Sequence, residues 1–369
     1  MQVPFLDLRR QHWEIESEVN SALARVTNSG VFILNGEVKA FETEWARFCG
    51  VRAAAATNSG TDALALALLA SGALPKSEGY EVITSPLTAG YSALAILSAG
   101  GVPVFADVDP RTYTLDPESV EKAITPRTRA IIPVHIYGQM ADVEGICQVA
   151  SRHGLVVIED AAQAHGAASF GKRAGAHGIA AAFSFYPTKN LGAYGDGGAV
   201  TSNDARLCEQ VRSLREGGHL GALQGGVTGR NSRLDEIQAA VLRVKLRYLE
   251  EWNLRRLNLA KMYCEELAVK GSRLILPYAS GAGSHVYHLF VVQHEKRESL
   301  RAHLTGRGIE TMIHYPFLLH QQTLFRRRHQ RPLRVAESLV KTILSLPLYP
   351  QLKSDELLAV SRAVCEFEA

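Results

Sequence analysis

The sequence predicts an α/β fold, with a large, mostly parallel β-sheet and a smaller α+β domain behind it. Short apolar runs alternate with helical runs from about residue 53 onward, the pattern of parallel strands joined by right-handed crossovers over both faces of a sheet. Leu155-Val156-Val157-Ile158 is a continuous apolar run closed by Glu159 and Asp160, as expected of a central strand buried on both faces. A long helical stretch, Leu234 to about Val269, then leads into a C-terminal part where strand and helix patterns resume. The expected division is residues 1–245 for the large domain with an N-terminal arm, and 246–369 for the small domain.

Pro4 to Leu8 reads as the arm. Gln11 to Val26 places Trp13, Ile15, Val19, Leu23 and Val26 on or near one helical face. Asn35-Gly36 turns the chain into a second amphipathic helix ending near Gly50. Glu81–Thr84 is an expected strand, Ala89–Ala99 a helix of small and apolar residues, Val102–Asp107 a strand and Pro117–Ile124 a helix. Arg129–Tyr137 is expected as a strand and Asp142–His153 as a helix, ahead of the strand that ends at Asp160. Ala181–Tyr186 reads as a buried strand, ended by Pro187, which cannot donate to a ladder. Gly198–Ser202 is β-like, Ala205–Arg215 helical, and Gly217–Gly229 a glycine-rich loop. Farther on, His285–Gln293 alternates like a strand, Arg297–Thr305 is helical, Ile309–Tyr315 is expected as a strand and Ser354–Phe367 as a last helix.

Composition narrows the function classes. With 46% hydrophobic and 21% charged residues the chain has the balance of a soluble globular protein. A net charge of +3 does not indicate a general nucleic-acid surface. The one dense basic cluster, Arg326 to Arg334, lacks the interleaved aromatics of a nucleic-acid site; a solvated loop, or an edge that attracts a phosphorylated substrate, accounts for it as well. Cys49, Cys147, Cys208, Cys264 and Cys365 are far apart and show no metal-ligand spacing, so they read as reduced thiols and no metal is expected. The polar N-terminus does not read as a signal peptide, and the longest apolar run, Ala63–Ala70, is too short to cross a bilayer. A cytoplasmic protein, with no membrane partner, is expected.

Three features carry chemistry. Lys189 follows the Ala181–Tyr186 strand in a glycine-rich run poor in charge. Partial shielding from water lowers a lysine's pKa toward a nucleophilic free amine, although a solvated charge is the ordinary alternative. Asp160 ends the central strand, where α/β sheets place their ligands, unless it only caps Ala161-Ala162-Gln163. Asn58-Ser59-Gly60-Thr61-Asp62 opens the helix of Ala63–Leu69, and such a start is an anion site or an ordinary cap. A helix start for a phosphate, an aspartate for a pyridinium nitrogen and a lysine for an aldehyde together describe a site for pyridoxal 5'-phosphate.

The runs Asn58–Leu64, Glu159–Gly166, Ser184–Gly192 and Asn231–Ala240 resemble the sugar aminotransferases of the DegT/DnrJ/EryC1/StrS family. The likeness extends from Pro4 to Pro350. It implies the fold-type I arrangement of pyridoxal phosphate enzymes, with a mostly parallel seven-stranded sheet. It also implies a homodimer with shared active sites, acting on a nucleotide-linked keto sugar and an amino-acid donor, glutamate being the expected one. By the same resemblance Lys189 is the Schiff-base lysine and general base, and Asp160 the partner of the ring nitrogen. Gln163 lies near the phenolic oxygen, Gly60, Thr61 and Ser184 hold the phosphate, and Asn231 reaches the phosphate from the neighbouring subunit. Ser85-Pro86-Leu87-Thr88-Ala89-Gly90-Tyr91 departs from the pattern, because Ala89 stands where an aromatic is expected to stack on the ring. Either Tyr91 supplies that stacking by a shifted path or the ring is held differently. Tyr194, His165, His314 and Tyr315 lie in segments that the family folds toward substrate; for His165 and His314 a purely structural place is the alternative. His219 and Asp196 are undetermined.

The lysine run Phe185–Asp196 most resembles members acting at C3 of the sugar rather than C4. Sugar dehydratases of similar fold lack the lysine, so Lys189 argues against that activity. A non-catalytic, cofactor-binding regulatory protein is the non-enzymatic alternative.

Overall fold

A computed structural model describes residues 2–74, 79–217, 229–269, 273–326 and 332–368. Its main sheet has seven strands: β1 (Ala53–Thr57), β2 (Glu81–Thr84), β3 (Val102–Phe105), β4 (Thr128–Ile132), β5 (Val156–Asp160), β6 (Ala180–Ser184) and β7 (Gly198–Ser202). They lie in the order β1-β7-β6-β5-β4-β2-β3. Only β7 runs against its neighbours; the other pairings are parallel. Because successive side chains point to opposite faces, Val157, Ala181 and Phe183 join one core and Ile158, Ala180 and Ala182 the other.

Helices cover both faces. On one side α2 (Gly36–Cys49) and α6 (Val143–His153) bring Phe41, Trp45, Val143 and Ile146 to the first core. On the other side α3 (Gly60–Ala70), α4 (Tyr91–Ser98) and α7 (Ala205–Leu214) bring Leu64, Leu66, Ile96 and Val211. Small residues let α3 approach β6 closely: a Cβ on Gly60 would lie 2.6 Å from that of Ser184. The start of α3 is thereby seated against the carboxyl end of β6.

Several expected elements change shape. The strand expected over 129–137 stops at Ile132, because Pro133 has no N–H to give. The Pro133 carbonyl still accepts from Asp160 N–H, and His135 N–H donates to the Asp160 carbonyl. A short 3-10 turn over Ile136–Gly138 follows. The helical stretch from Leu234 is two helices, α8 (Glu236–Leu246) and α9 (Leu249–Val269), parted by a turn at Arg247 and Tyr248. The strand expected over 285–293 is regular only at Phe290–Gln293, where it pairs antiparallel with Ile343–Leu346, a strand not anticipated. Ile309–Tyr315 forms no strand; Ile309 and Met312 make single bridges to Val3 and Ser345.

The N-terminal arm packs away from the main sheet. Val3 N–H donates to the Gly308 carbonyl, and its side chain enters the C-terminal core with Tyr263, Phe290 and Leu346. Then α1 (Leu8–Ser29), capped by the Asp7 side chain, lays Ile15, Val19 and Val26 on Val241, Val244 and Trp252. Among the described residues no helix is long and apolar enough to cross a membrane. No cluster of His, Cys, Asp and Glu there is fit to hold a metal ion.

Candidate active site

The carboxyl ends of β5 and β6 bring the lysine, the aspartate and the start of α3 into one region. After β6 the chain turns tightly, Lys189 N–H donating to the Tyr186 carbonyl at 2.9 Å. The loop is pulled back on itself by Ala193 N–H to the Phe185 carbonyl, 2.8 Å. A Cβ at Gly192 would come 2.3 Å from the Pro187 carbonyl oxygen, so only glycine allows that return. Burial pushes the Lys189 amine down to about 8, although the charge of Asp160 pulls it the other way. A lysine in this state is partly unprotonated near neutral pH, as a nucleophilic amine must be.

Asp160 is 7% exposed. The Ser92 hydroxyl donates to its Oδ2 at 2.6 Å and Ala162 N–H to its Oδ1 at 3.2 Å. No helix follows, so Asp160 is not a helix cap; it closes a turn and is aimed by Ser92 of α4. The neighbouring Glu159 points into the opposite core, where it accepts from His135 Nε2 and from the N–H groups of Gly175, His177 and Gly178. Burial pushes Glu159 up, but these hydrogen bonds hold it below its usual pKa. It thus anchors β5 beneath Asp160 as a buried carboxylate.

At the head of α3 the Ser59 hydroxyl accepts from Asp62 N–H and the Ser59 carbonyl from Ala63 N–H. The first-turn N–H groups of Gly60 and Thr61 remain for an acceptor outside the helix. Ser184 lies against Gly60, and its hydroxyl accepts from Tyr186 N–H at 3.3 Å. Asn231 is exposed, but its neighbours are tied to this same corner. Arg230 Nη1 donates to Asp62 Oδ1 at 2.9 Å, and the Ser232 hydroxyl to Asn58 Oδ1 at 3.1 Å.

Gln163 is fixed on both sides. Its Oε1 accepts from Tyr137 N–H at 2.6 Å and its Nε2 donates to the Tyr315 hydroxyl at 2.9 Å. Burial raises Tyr315 to about 12, so it stays protonated. The His314 carbonyl accepts from the Tyr137 hydroxyl, and its ring meets Ser345 Oγ at 2.9 Å. Burial lowers the His314 ring to about 4, with the charge of Lys189 acting the same way. Thus His314 lies near the lysine and Tyr315 against the glutamine. Tyr91 is 64% exposed at the first turn of α4, the helix that also carries Ser92, so it is not a core tyrosine.

His165 takes the structural place that was its alternative, and Tyr194 makes contacts with α1 and Lys245. His165 is wholly buried against Trp45, Phe183 and Phe185, and its Nε2 donates to the Ser184 carbonyl at 2.9 Å. Burial lowers it to about 3. The aromatic core has claimed it, and it supports Ser184 instead of facing a substrate. Tyr194 turns toward α1, its hydroxyl 2.6 Å from His12 Nδ1 and its ring under the Lys245 amine. His219 and most of Arg326–Arg334 lie outside the described residues.

Sequence reasoning missed Ser92, Asn190, Asn253, His288 and Lys245. Lys245, on α8, is 2% exposed and donates from Nζ to the Gly192 carbonyl at 2.8 Å. Its helix reads as amphipathic, and nothing local marks this lysine as the inward-facing one.

Comparison with known proteins identifies relatives over nearly the whole chain. The model of the DegT/DnrJ/EryC1/StrS aminotransferase family matches residues 14–365. A dTDP-3-amino-3,4,6-trideoxy-alpha-D-glucose transaminase of Streptomyces venezuelae is 46% identical over 99% of this chain and 96% of its own. The crystal structure of Streptomyces venezuelae DesV in complex with a ketimine intermediate superposes with a TM-score of 0.94, at 45% identity, covering 99% of this chain and 98% of the other. The structure of NtdA from Bacillus subtilis with its cofactor PMP bound gives 0.90 at 32% identity, over 99% and 85% of the two chains.

Proposed function

Because the chain belongs to the DegT/DnrJ/EryC1/StrS aminotransferase family, we propose that it moves an amino group from an amino acid, glutamate being the expected donor, to the C3 keto group of a nucleotide-linked sugar. The observation that carries this reading is the convergence of a depressed Lys189 amine and the oriented Asp160 carboxylate beside the open start of α3. The C3 assignment is supported by the 3-amino sugar named for the Streptomyces venezuelae relative.

The residues present fit pyridoxal 5'-phosphate. Gly60, Thr61 and Ser184 would hold its phosphate, through backbone N–H groups, the helix dipole and a hydroxyl. Asp160 would hold the ring nitrogen, and Lys189 the aldehyde carbon. Bound there, the cofactor supplies a carbonyl that carries the amino group and a ring that takes up the electron pair left when a proton leaves carbon. Ser92 O–H and Ala162 N–H orient the Asp160 carboxylate that would meet the ring nitrogen. Lys189, partly unprotonated near neutrality, would accept and return a proton at Nζ, moving it between the substrate carbon and the cofactor. Gln163 keeps one orientation because Tyr137 N–H occupies its oxygen, and its amide nitrogen holds the Tyr315 hydroxyl in place. The working unit in this reading is a homodimer with shared sites.

Turnover of 3-keto and 4-keto nucleotide sugars with a glutamate donor, for the wild type and Lys189→Ala, tests the proposal. Amination of 3-keto substrates by the wild type and none by the variant is expected. Preference for 4-keto sugars would overturn the C3 assignment, and wild-type turnover by the variant would overturn the role of Lys189.

A further inference from the structure

The residue after the lysine is held more completely than the lysine itself. Asn190 is 2% exposed, and both hydrogens of its amide are used. Nδ2 donates to Asn253 Oδ1 at 2.8 Å and to the Val286 carbonyl at 3.1 Å. Its Oδ1 lies 3.1 Å from His288 Nδ1, so that nitrogen carries the ring proton. From Asn253 the chain of contacts continues, its Nδ2 donating to the His165 carbonyl at 2.8 Å. His165 in turn donates to the carbonyl of Ser184. The backbone is built around this second amide: a Cβ on Gly166, which has φ +88°, would lie 2.8 Å from Asn253 Nδ2.

We propose, on the aminotransferase reading above, that Asn190 and Asn253 are positioning residues that set the placement and protonation of the Lys189 amine. Their amides join the lysine loop to the segment that leaves Asp160 and, through His165, to Ser184. The groups assigned to the aldehyde and the phosphate are thereby held in one rigid frame. A buried polar network rigidifies through the members that are satisfied. Here the two amides are: each oxygen accepts and each nitrogen donates, while His165 Nδ1 has no partner among the described residues. Burial and the charges of Lys189 and Arg256 keep His288 neutral. It can therefore donate to Asn190 without placing another cation beside the lysine. Loss of either amide lets the loop relax and alters the environment of Nζ, although neither side chain touches a reacting atom.

The test uses Asn190→Ala and Asn253→Ala with two readouts beyond thermal melting. In cofactor-free protein, the pH dependence of Lys189 modification by trinitrobenzenesulfonate, followed by mass spectrometry of the Lys189 peptide, reports the amine directly. In cofactor-loaded protein, kcat and KM are measured separately. The expected result is a displaced modification midpoint and a kcat lower by about tenfold to a hundredfold with KM little changed, the scale of a small misplacement of a reacting group. A wild-type modification profile in folded variants would overturn the proposal, as would a raised KM with kcat kept. Where Asn190→Ala does not fold, Asn253→Ala, which leaves the lysine loop's own side chains intact, decides by the same criteria. If the wild-type protein aminates no keto sugar, the modification profile alone decides, so a failure of the aminotransferase reading stays separate from a failure of this one.

Discussion

Asp160 shows how little a single residue needs to change to separate structure from chemistry. Asparagine keeps its volume, but the site offers two donors, Ser92 O–H and Ala162 N–H, to the two carboxylate oxygens. An amide accepts at one atom only, so Asp160→Asn turns an N–H₂ toward a donor. The local cost is about 1–3 kcal/mol, which a melting curve will register as a modest shift. On the proposed reading, the loss of charge opposite the ring nitrogen acts on rate instead. A fall in kcat on the order of a hundredfold or more is expected, as when a principal electrostatic stabiliser is removed. Equal turnover in the two proteins would reduce Asp160 to the closure of a turn. His165 gives the converse lesson. The family resemblance left it open between a substrate contact and a structural place, and burial among aromatics gave it the second, as a support for Ser184.

Helix α8 carries an inward-facing lysine that has pH consequences. Burial lowers Lys245 from the usual 10.5 to about 7. Between those values the unfolded chain binds a proton that the folded chain rejects, so this group makes stability rise as pH climbs from about 7 toward about 10.5. Lys189 contributes in the same direction, so the difference between proteins isolates Lys245. Lys245→Met should flatten the rise in denaturant midpoint across that window; an unchanged slope would mean that the amine is charged inside the fold. At this scale the sequence was legible where periodicity and burial coincide. The apolar runs of β5 and β6 and the glycine-bounded α2 are of that kind. It misled at Ile309–Tyr315, where alternation is satisfied by packing on the arm and on Ser345 instead of by a ladder. It was silent at Ile343–Leu346, four residues too short to declare themselves. The aspartate stood out because it ends a strand, and the lysine because it follows one in a glycine-rich run poor in charge. The Asn190, Asn253 and His288 partnership did not, since its members come from segments far apart in the chain.

For the molecule as a whole, the segment around Asn231 is the informative one. Arg230 and Ser232 fasten it to the start of α3 in its own chain, while the Asn231 side chain is exposed. An asparagine held rigidly at the surface is suited to reach into a partner's site. Mixing Lys189→Ala subunits with Asn231→Ala subunits tests this. With shared sites each mixed dimer contains one site bearing both lesions and one bearing neither, so activity should return. Subunits shown to exchange without any return of activity would place Asn231 within its own chain's work or outside catalysis.

The position of β1 has a consequence for how the protein is made. It lies at the sheet's edge and pairs only with β7, Ala53 opposite Ser202, while Val3 waits for Ile309. A chain emerging from the ribosome therefore carries its first strand and arm without partners until distant segments have been synthesised. Such long-range pairing slows folding and leaves strand edges open meanwhile. The alanines of β1, Ala53 to Ala56, are a mild exposure for that interval, offering neighbouring nascent chains far less to adhere to than valines or isoleucines would.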